Sequence, residues 1–177
     1  MQGASWLAGL CFLLFAGTVQ ALELGKQRSD YQASPDLRWL EAAPGELSPE
    51  QALEALRSGK GQRLGSRYPS MGFRKQDQWF LLNLDNQSDT GLWYLHGGSQ
   101  HLEHKDRYVY DQAGTLLDHQ RSGDRVPFAA RPFPHHQLIY PLAIPQQAQW
   151  SILFRARGDN VIDFPLSIHA PDEFNQH

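Results

Sequence analysis

The chain has 177 residues, a length that suits one domain, and its hydrophobic fraction of 41% can furnish a sizeable core. Lys and Arg number 16 against 19 Asp and Glu, which gives a formal net charge of −3. A general nucleic-acid binder needs a clustered basic surface to neutralise phosphates, so this balance argues against nucleic acid as a partner.

The first segment of the chain has the pattern of an export signal. Residues 6–19 are apolar and uncharged, and the run is shorter than the ~20 residues that a membrane-spanning helix needs. Val19-Gln20-Ala21 offers a cleavage site, so we expect residues 1–21 to be a signal peptide that directs the protein to the periplasm. The alternatives are an uncleaved anchor or a buried helix. We expect membrane attachment only if the natural protein continues past His177.

Cys11 is the only cysteine in the chain. It lies inside the apolar run and directly after Leu10, where a lipid attachment site does not fit. Cleavage after Ala21 would therefore leave a mature chain without cysteine. No disulfide could then stabilise the domain, and its hydrophobic core would have to suffice.

One short helix is predicted in the first half of the domain. Ser48 is suited to cap its first turn, Pro49 suits the first helical position, and Gln51 can bond back to the cap. Apolar residues recur on one face over residues 52–56, and Gly59 is a suitable stop. The pattern predicts an amphipathic helix that packs on the rest of the domain.

From residue 78 onward the hydrophobic pattern changes to a period of two, which is typical of strands. The turn sequence Asp111-Gln112-Ala113-Gly114 predicts a hairpin, and Pro141 is expected at a sheet edge or a bulge. No long helices alternate with the strands, so a parallel α/β sheet is not expected. The sequence therefore predicts an all-β sandwich of about seven or eight strands over residues 37–174, preceded by a linker over residues 22–36. The predicted strands are residues 79–84, 92–96, 107–110, 115–119, 138–144, 150–156 and 162–168.

Short motifs follow one another in a fixed order along the chain. They are the Trp79 strand ending in Asn83 and Asn86, Leu102-Glu103 and Asp106 ahead of the Tyr108 strand, Gly123-Asp124, Arg131-Pro132, Tyr140-Pro141-Leu142, Leu153-Phe154-Arg155 and Pro165-Leu166. In this order and spacing the series resembles the periplasmic ligand-sensing domain, type 2, of bacterial seven-transmembrane receptors with diverse intracellular signalling modules. The resemblance covers nearly all of the mature chain, from Leu37 to Phe174.

The resemblance implies a jelly-roll β-sandwich similar to carbohydrate-binding modules. It also implies a non-catalytic sensory domain that binds a small ligand, with saccharides as a candidate class, and signals through membrane helices to a cyclase or kinase. We expect this chain to carry the sensory domain without its membrane and output modules. Lys105 and Arg107 depart from the family pattern because they stand where apolar residues are usual. The sequence leaves open whether their face of the strand is buried.

Five side chains are candidates for the ligand site. Trp93 and Tyr108 lie on adjacent predicted strands, where their rings can serve as flat platforms for a sugar, and Tyr140 belongs to a later strand. Arg131 follows a long connection and can hold a carboxylate or sugar hydroxyls with its planar fork, and His135 lies close to it in the chain. The alternatives are structural: core packing for the aromatic rings, and a tie to loop carbonyl groups for Arg131. Substitution of Trp93 or Arg131 is expected to weaken ligand binding.

No catalytic or metal-binding motif accompanies these residues. There is no Gly-x-Ser-x-Gly elbow, and the eight histidines have poor spacing for a transition metal. The loop Asp85–Gly91 lacks the closing Glu of a calcium loop. We therefore expect no cofactor, no metal ion and no enzymatic activity. The alternative to ligand sensing is a protein-interaction or dimerisation module that modulates a membrane receptor.

Overall fold

The computed structural model describes residues 20–97, 104–122, 139–159 and 161–174, and these residues form a β-sandwich. The described helices are α1 (Pro49–Arg57) and α2 (Pro171–Phe174), with a 3-10 turn at Ser34–Asp36. The described strands are β1 (Leu22–Leu24), β2 (Asp30–Gln32), β3 (Arg38–Ala42), β4 (Gln62–Arg63), β5 (Ser70–Phe73), β6 (Asp77–Asn86), β7 (Trp93–Gly97), β8 (His104–Tyr110), β9 (Leu116–Ser122), β10 (Ile139–Leu142), β11 (Gln149–Arg157), β12 (Val161–Asp163) and β13 (Leu166–His169).

Two sheets pack around one main core. The large sheet has the strand order β4-β3-β6-β11-β8-β9, with β1 pairing alongside β6. The small sheet has the order β10-β7-β13-β2, and β12 pairs with β5 in a separate two-stranded ribbon. The predicted all-β sandwich and the β8–β9 hairpin are confirmed. Pro141 lies in β10, an edge strand of the small sheet, where its missing N–H leaves no central ladder bond unmade.

Strand β6 is buried on both of its faces. Phe80, Leu82 and Leu84 face the main core between the sheets, as their spacing predicts. Trp79 and Leu81 belong to a second apolar cluster on the other face of the large sheet, beneath α1. The helix therefore turns the outer face of this sheet into a second, smaller core.

Helix α1 begins where its local sequence indicates. The Ser48 hydroxyl accepts a hydrogen bond from the Gln51 backbone N–H at 3.2 Å, and Gln51 Oε1 accepts one from the Ser48 backbone N–H at 2.9 Å. Together these bonds form the predicted capping box, with Pro49 in the first turn. No helix among the described residues is long and apolar enough to cross a membrane.

The segment predicted as a linker, residues 22–36, contributes strands to both sheets. β1 runs parallel to the end of β6, with Leu22 opposite Leu84, and β2 pairs with β13. Each strand is three residues long, which is too short to show a period of two in the sequence. The sandwich is therefore built from residue 22 onward, and the sequence pattern alone does not reveal this.

Asn86 fixes the loop that follows β6. Its Nδ2 group donates to the Thr90 and Ile144 carbonyls at 2.9 and 2.8 Å, and its Oδ1 accepts from the Ser88 hydroxyl at 2.6 Å. The side chain is fully buried, so these bonds satisfy groups that water cannot reach. One amide thus holds the β6–β7 loop against the segment between β10 and β11.

Candidate functional site

The structure separates the predicted ligand-binding aromatic residues. Trp93 and Tyr140 belong to the main core between the sheets, and each is only 1% exposed. Tyr108 lies on the opposite face of the large sheet, where its ring stacks on His119 at 4.2 Å between ring centroids. Arg131 and His135 lie outside the described residues. The ligand-binding role of all five stays a prediction, and the structure does not bring Tyr108 to the same place as Trp93.

One end of the sandwich carries a cavity of about 430 Å³ among its loops. We call it the loop-end cavity. Its volume falls within the range of small-molecule sites. Its walls come from the β1–β2 turn, the β6–β7 loop, the start of β7 and the start of α2. The lining residues are Gly25, Lys26, Gln27, Arg28, Ser29, Ser88, Asp89, Thr90, Trp93, Ala170, Pro171 and Asp172.

Trp93 joins this cavity to the core. Its ring makes an edge contact with Tyr31, with the centroids 5.8 Å apart, and its indole Nε1–H is buried without a hydrogen-bond partner among the described residues. A buried donor left unpaired costs about 1–3 kcal/mol. Because Trp93 also lines the cavity, it joins the cavity wall to the main core.

The rim of the loop-end cavity carries charges of both signs. Lys26 Nζ lies 2.9 Å from Asp89 Oδ1, and both side chains are well exposed. The Arg28 guanidinium lies over the Tyr31 ring at 4.9 Å, and Asp172 adds a second carboxylate. Exposed pairs of this kind contribute little to stability, so these groups are available to meet the donors and acceptors of a polar ligand.

Hydrogen bonds hold the cavity wall in place. The Ser88 hydroxyl accepts from the Thr90 backbone N–H at 3.2 Å, and Gln146 Nε2 donates to the Asp89 carbonyl at 2.7 Å. On the other side of the cavity, the Ala170 backbone N–H donates to the Ser29 carbonyl at 2.7 Å. The wall is therefore organised before any ligand arrives, which reduces the entropy cost of binding.

The face of β8 that carries Lys105 and Arg107 is buried. The sequence alone does not decide this. Lys105 is 0% exposed, and its ammonium lies 5.6 Å from the centre of the Tyr140 ring. Arg107 Nη2 donates to Asp118 Oδ2 at 2.5 Å, and its guanidinium lies over the same ring at 4.7 Å. Burial lowers the pKa of Arg107, while Asp118 opposes this shift. Two cations therefore contact the same Tyr140 ring in the core.

Asp106 forms the centre of a charged network on the outer face of the large sheet. Arg155 donates to its Oδ2 from Nε and Nη2 at 3.1 and 2.6 Å, and Arg121 donates to Oδ1 at 3.2 Å. His119 Nε2 lies 3.3 Å from the same oxygen. Burial alone would raise the pKa of Asp106, but the bonds and charge of Arg155 and its neighbours outweigh it, so the pKa is lowered. Each oxygen of this buried carboxylate is paired, which is how a structural charge is stabilised.

Metal-ligand groupings of three or more His, Cys, Asp or Glu side chains do not occur among the described residues. The two most deeply buried carboxylates there, Asp77 and Asp106, are both bound by arginines.

The family described as 7TMR-DISM extracellular 2 matches residues 34–170, which is well over half of the chain. The chain belongs to this family. The motif series in the sequence is therefore that of a 7TMR-DISM extracellular 2 domain, an extracellular sensory domain of a receptor.

No curated protein gives a significant match to the chain. Among solved structures it is similar to the insecticidal delta-endotoxin Cry8Ea1 from Bacillus thuringiensis, with 15% identity and a TM-score of 0.28, over 51% of this chain and 17% of the toxin. It is also similar to two cleaved adhesin domains of Lys-gingipain. The K3 domain, from Porphyromonas gingivalis, has 13% identity and a TM-score of 0.32, over 63% of this chain and 81% of that one. The K2 domain has 12% identity and a TM-score of 0.31, over 80% and 87%.

The sequence does not predict several residues of the loop-end cavity. Lys26 and Arg28 lie in the segment predicted as a linker, and Asp172 lies near the end of the predicted domain, outside its predicted strands. The available signal was the cluster of Gly, Lys, Gln, Arg and Ser over residues 25–29, which reads equally well as a plain turn.

Proposed function

We propose that this 7TMR-DISM extracellular 2 domain is a periplasmic ligand-sensing module that binds a small hydroxylated molecule, with saccharides as the first class, in the loop-end cavity. It performs no chemistry on the ligand. The observation that carries the proposal is the loop-end cavity itself, whose lining combines Trp93 with hydroxyl groups and with charged groups of both signs.

The chemistry of the cavity supports this ligand class. A saccharide presents apolar ring faces together with hydroxyls that both donate and accept hydrogen bonds. Asp89 and Asp172 supply acceptors, Lys26 and Arg28 supply donors, and Trp93 contributes an aromatic residue to the wall. A mixed lining of this kind suits a neutral polyhydroxylated molecule better than one of a single charge.

The domain family supports the signalling role. Members are extracellular parts of membrane receptors. We infer that the signal sequence exports this chain and that ligand occupancy is passed to membrane helices, either of its own natural protein or of a partner receptor.

The proposal is tested by thermal unfolding of the exported protein against a panel of sugars, amino acids and divalent ions. A ligand present at one hundred times its dissociation constant adds about 2.7 kcal/mol to the free energy of unfolding. We expect a concentration-dependent rise in melting temperature with sugars. A rise confined to amino acids or ions would overturn the ligand class, and no rise across the panel would overturn ligand sensing.

A second candidate function rests on three exposed apolar side chains on or next to the β5–β12 ribbon, which we call the patch. Tyr68 and Phe73 are 77% and 75% exposed, and Val161, which pairs with Phe73, is also exposed. Large rings this open to solvent often mark a protein-contact surface. The patch favours docking on a second copy of the chain or on a membrane receptor.

Sedimentation equilibrium of the parent and of a Tyr68→Ser/Phe73→Ser double variant tests the dimer. Crosslinking in the periplasm tests the receptor. A parent that is monomeric at high concentration, and that gives the same crosslinks as the double variant, excludes this second function.

A further inference from the structure

A second concave site lies between the end of α1 and the outer face of the large sheet. We call it the helix–sheet cleft. Its volume is about 290 Å³, and it is distinct from the loop-end cavity in every lining residue. The lining residues are Ala21, Arg57, Asn83, Leu84, Gln112, Gln149, Trp150 and Ser151.

The charged lining of this cleft is positive. Arg57 is its only charged lining residue, and no carboxylate lies within ion-pair distance of Arg57 among the described residues. The nearby Asp111 carboxylate accepts from the Thr115 backbone N–H at 2.8 Å, and Asp85 accepts from Gln87 at 2.7 Å. Arg57 is half-buried, so solvent screens its charge only in part.

Neutral groups hold the guanidinium in a fixed position. Arg57 Nη2 donates to the Asp111 carbonyl and to the Ser151 hydroxyl, both at 2.8 Å, and Nε donates to the same hydroxyl at 3.2 Å. Ser151 in turn donates to Asn83 Oδ1 at 2.6 Å. These bonds use the Nε–H and both Nη2 hydrogens of Arg57. Among the described residues, the two Nη1 hydrogens of Arg57 and the Asn83 amide hydrogens have no hydrogen-bond acceptor.

We propose that the helix–sheet cleft binds a small organic carboxylate, with Arg57 as its anchor. A carboxylate supplies the negative charge that the cleft lacks and two acceptor oxygens for fixed donors. The amides of Gln112 and Gln149 line the same cleft and suit the polar remainder of such a molecule. This site is independent of the sugar proposed for the loop-end cavity.

Residue-resolved NMR titration tests the site. The probes are succinate and galacturonate, each paired with a neutral counterpart, succinamide and galactose, at constant ionic strength. We expect the carboxylates to shift the Arg57 Nε–H and the Asn83 and Gln112 side-chain signals, and the neutral counterparts to leave them in place. Equal shifts from both members of each pair, or no shift from either carboxylate, would overturn the proposal.

Asn83→Asp is the sharpest variant because it puts a carboxylate of nearly the same shape into the cleft, where the Ser151 hydroxyl can still donate to it. We expect binding of the carboxylate probes to weaken about tenfold or more through like-charge repulsion. The matched control is Gln62→Glu, an exposed amide-to-acid change on the edge strand β4, which should bind like the parent.

Arg57→Lys provides a second test that keeps the positive charge and loses the planar fork. We expect it to weaken carboxylate binding as well. Trp93→Phe should leave carboxylate binding unchanged, since Trp93 does not line this cleft. Parent-like binding by both Asn83→Asp and Arg57→Lys would assign the shifts to another part of the surface and overturn the proposal.

Discussion

Asp106 shows what a buried charge does in this sandwich. The side chain is 2% exposed, and both of its oxygens accept from arginines. Its lowered pKa means that the folded state favours the carboxylate. The stability that this provides is present above the unfolded-state pKa of ~3.9 and is lost as pH falls through the lower folded-state pKa. Asp77, bound by Arg157 at 2.5 Å, adds to the same acid-sensitive window.

Asp106→Asn should lower the free energy of unfolding by about 3 kcal/mol at neutral pH, because Arg155 and Arg121 lose their counter-charge. Chemical denaturation at pH 7 and at about pH 3 measures this cost. The difference between variant and parent should shrink at the lower pH, which lies below the unfolded-state pKa of ~3.9. Asp89→Asn removes one partner of an exposed pair and is the control, with an expected cost below about 1 kcal/mol. Equal costs for the two variants would show that the network does not stabilise the fold.

Tyr110 carries a buried hydroxyl with no hydrogen-bond partner among the described residues. Burial, and next the charge of Glu50, raise its pKa to about 12. The contribution of this group to the free energy of unfolding is therefore fully present below pH ~10. It falls as pH rises from there through about 12, because Tyr110 ionises first in the unfolded chain. Tyr110→Phe should be neutral or slightly stabilising at pH 7, and it should reduce the loss between pH 10 and 12. Thermal unfolding across this range checks both, and a clear loss of stability at pH 7 would reveal a partner for the hydroxyl.

Nearby residues in the sequence predict some helices, turns and strands well and others poorly. The capping residues Ser48 and Gln51 place the start of α1, and the 111–114 turn places the β8–β9 hairpin, since both signals lie within a few residues. The strands of residues 22–36 are set instead by pairing with distant strands. The buried position of Lys105 likewise depends on a contact with Tyr140 across the core. No local pattern carries such information.

Asn86 links the elements that frame the loop-end cavity. Asn86→Asp should lower the free energy of unfolding by about 3 kcal/mol or more, because a carboxylate would replace the amide that donates to the Thr90 and Ile144 carbonyls. Asn83→Asp, the same change on the same strand, should leave the melting temperature unchanged or slightly raised, since it lies beside Arg57. Urea denaturation of the pair separates the two outcomes, and an equal loss in both would contradict this role for Asn86.

At the scale of the whole molecule, the proposed ligand site is assembled from three segments that lie far apart in the chain. Residues 25–29, 88–90 with Trp93, and 170–172 meet only after the sandwich closes. Of these residues, the sequence predicts only Trp93 as a site residue, because an aromatic residue in a predicted strand is a recognisable candidate. Its neighbours in the cavity become visible only through the pairing of β2 with β13 and of β13 with β7.

The central claim is that Trp93 contacts the sensed ligand in the loop-end cavity. Trp79 offers a matched comparison, since it too is fully buried and its indole N–H has no hydrogen-bond partner among the described residues. It lies beneath α1 and does not line the cavity. The decisive measurement is calorimetric titration of the sugar found in the panel into the parent, Trp93→Phe and Trp79→Phe. We predict that Trp93→Phe binds about tenfold or more weakly, because the substitution changes the wall of the cavity, while Trp79→Phe binds like the parent. Parent-like affinity in Trp93→Phe, or an equal loss in both variants, would contradict the account.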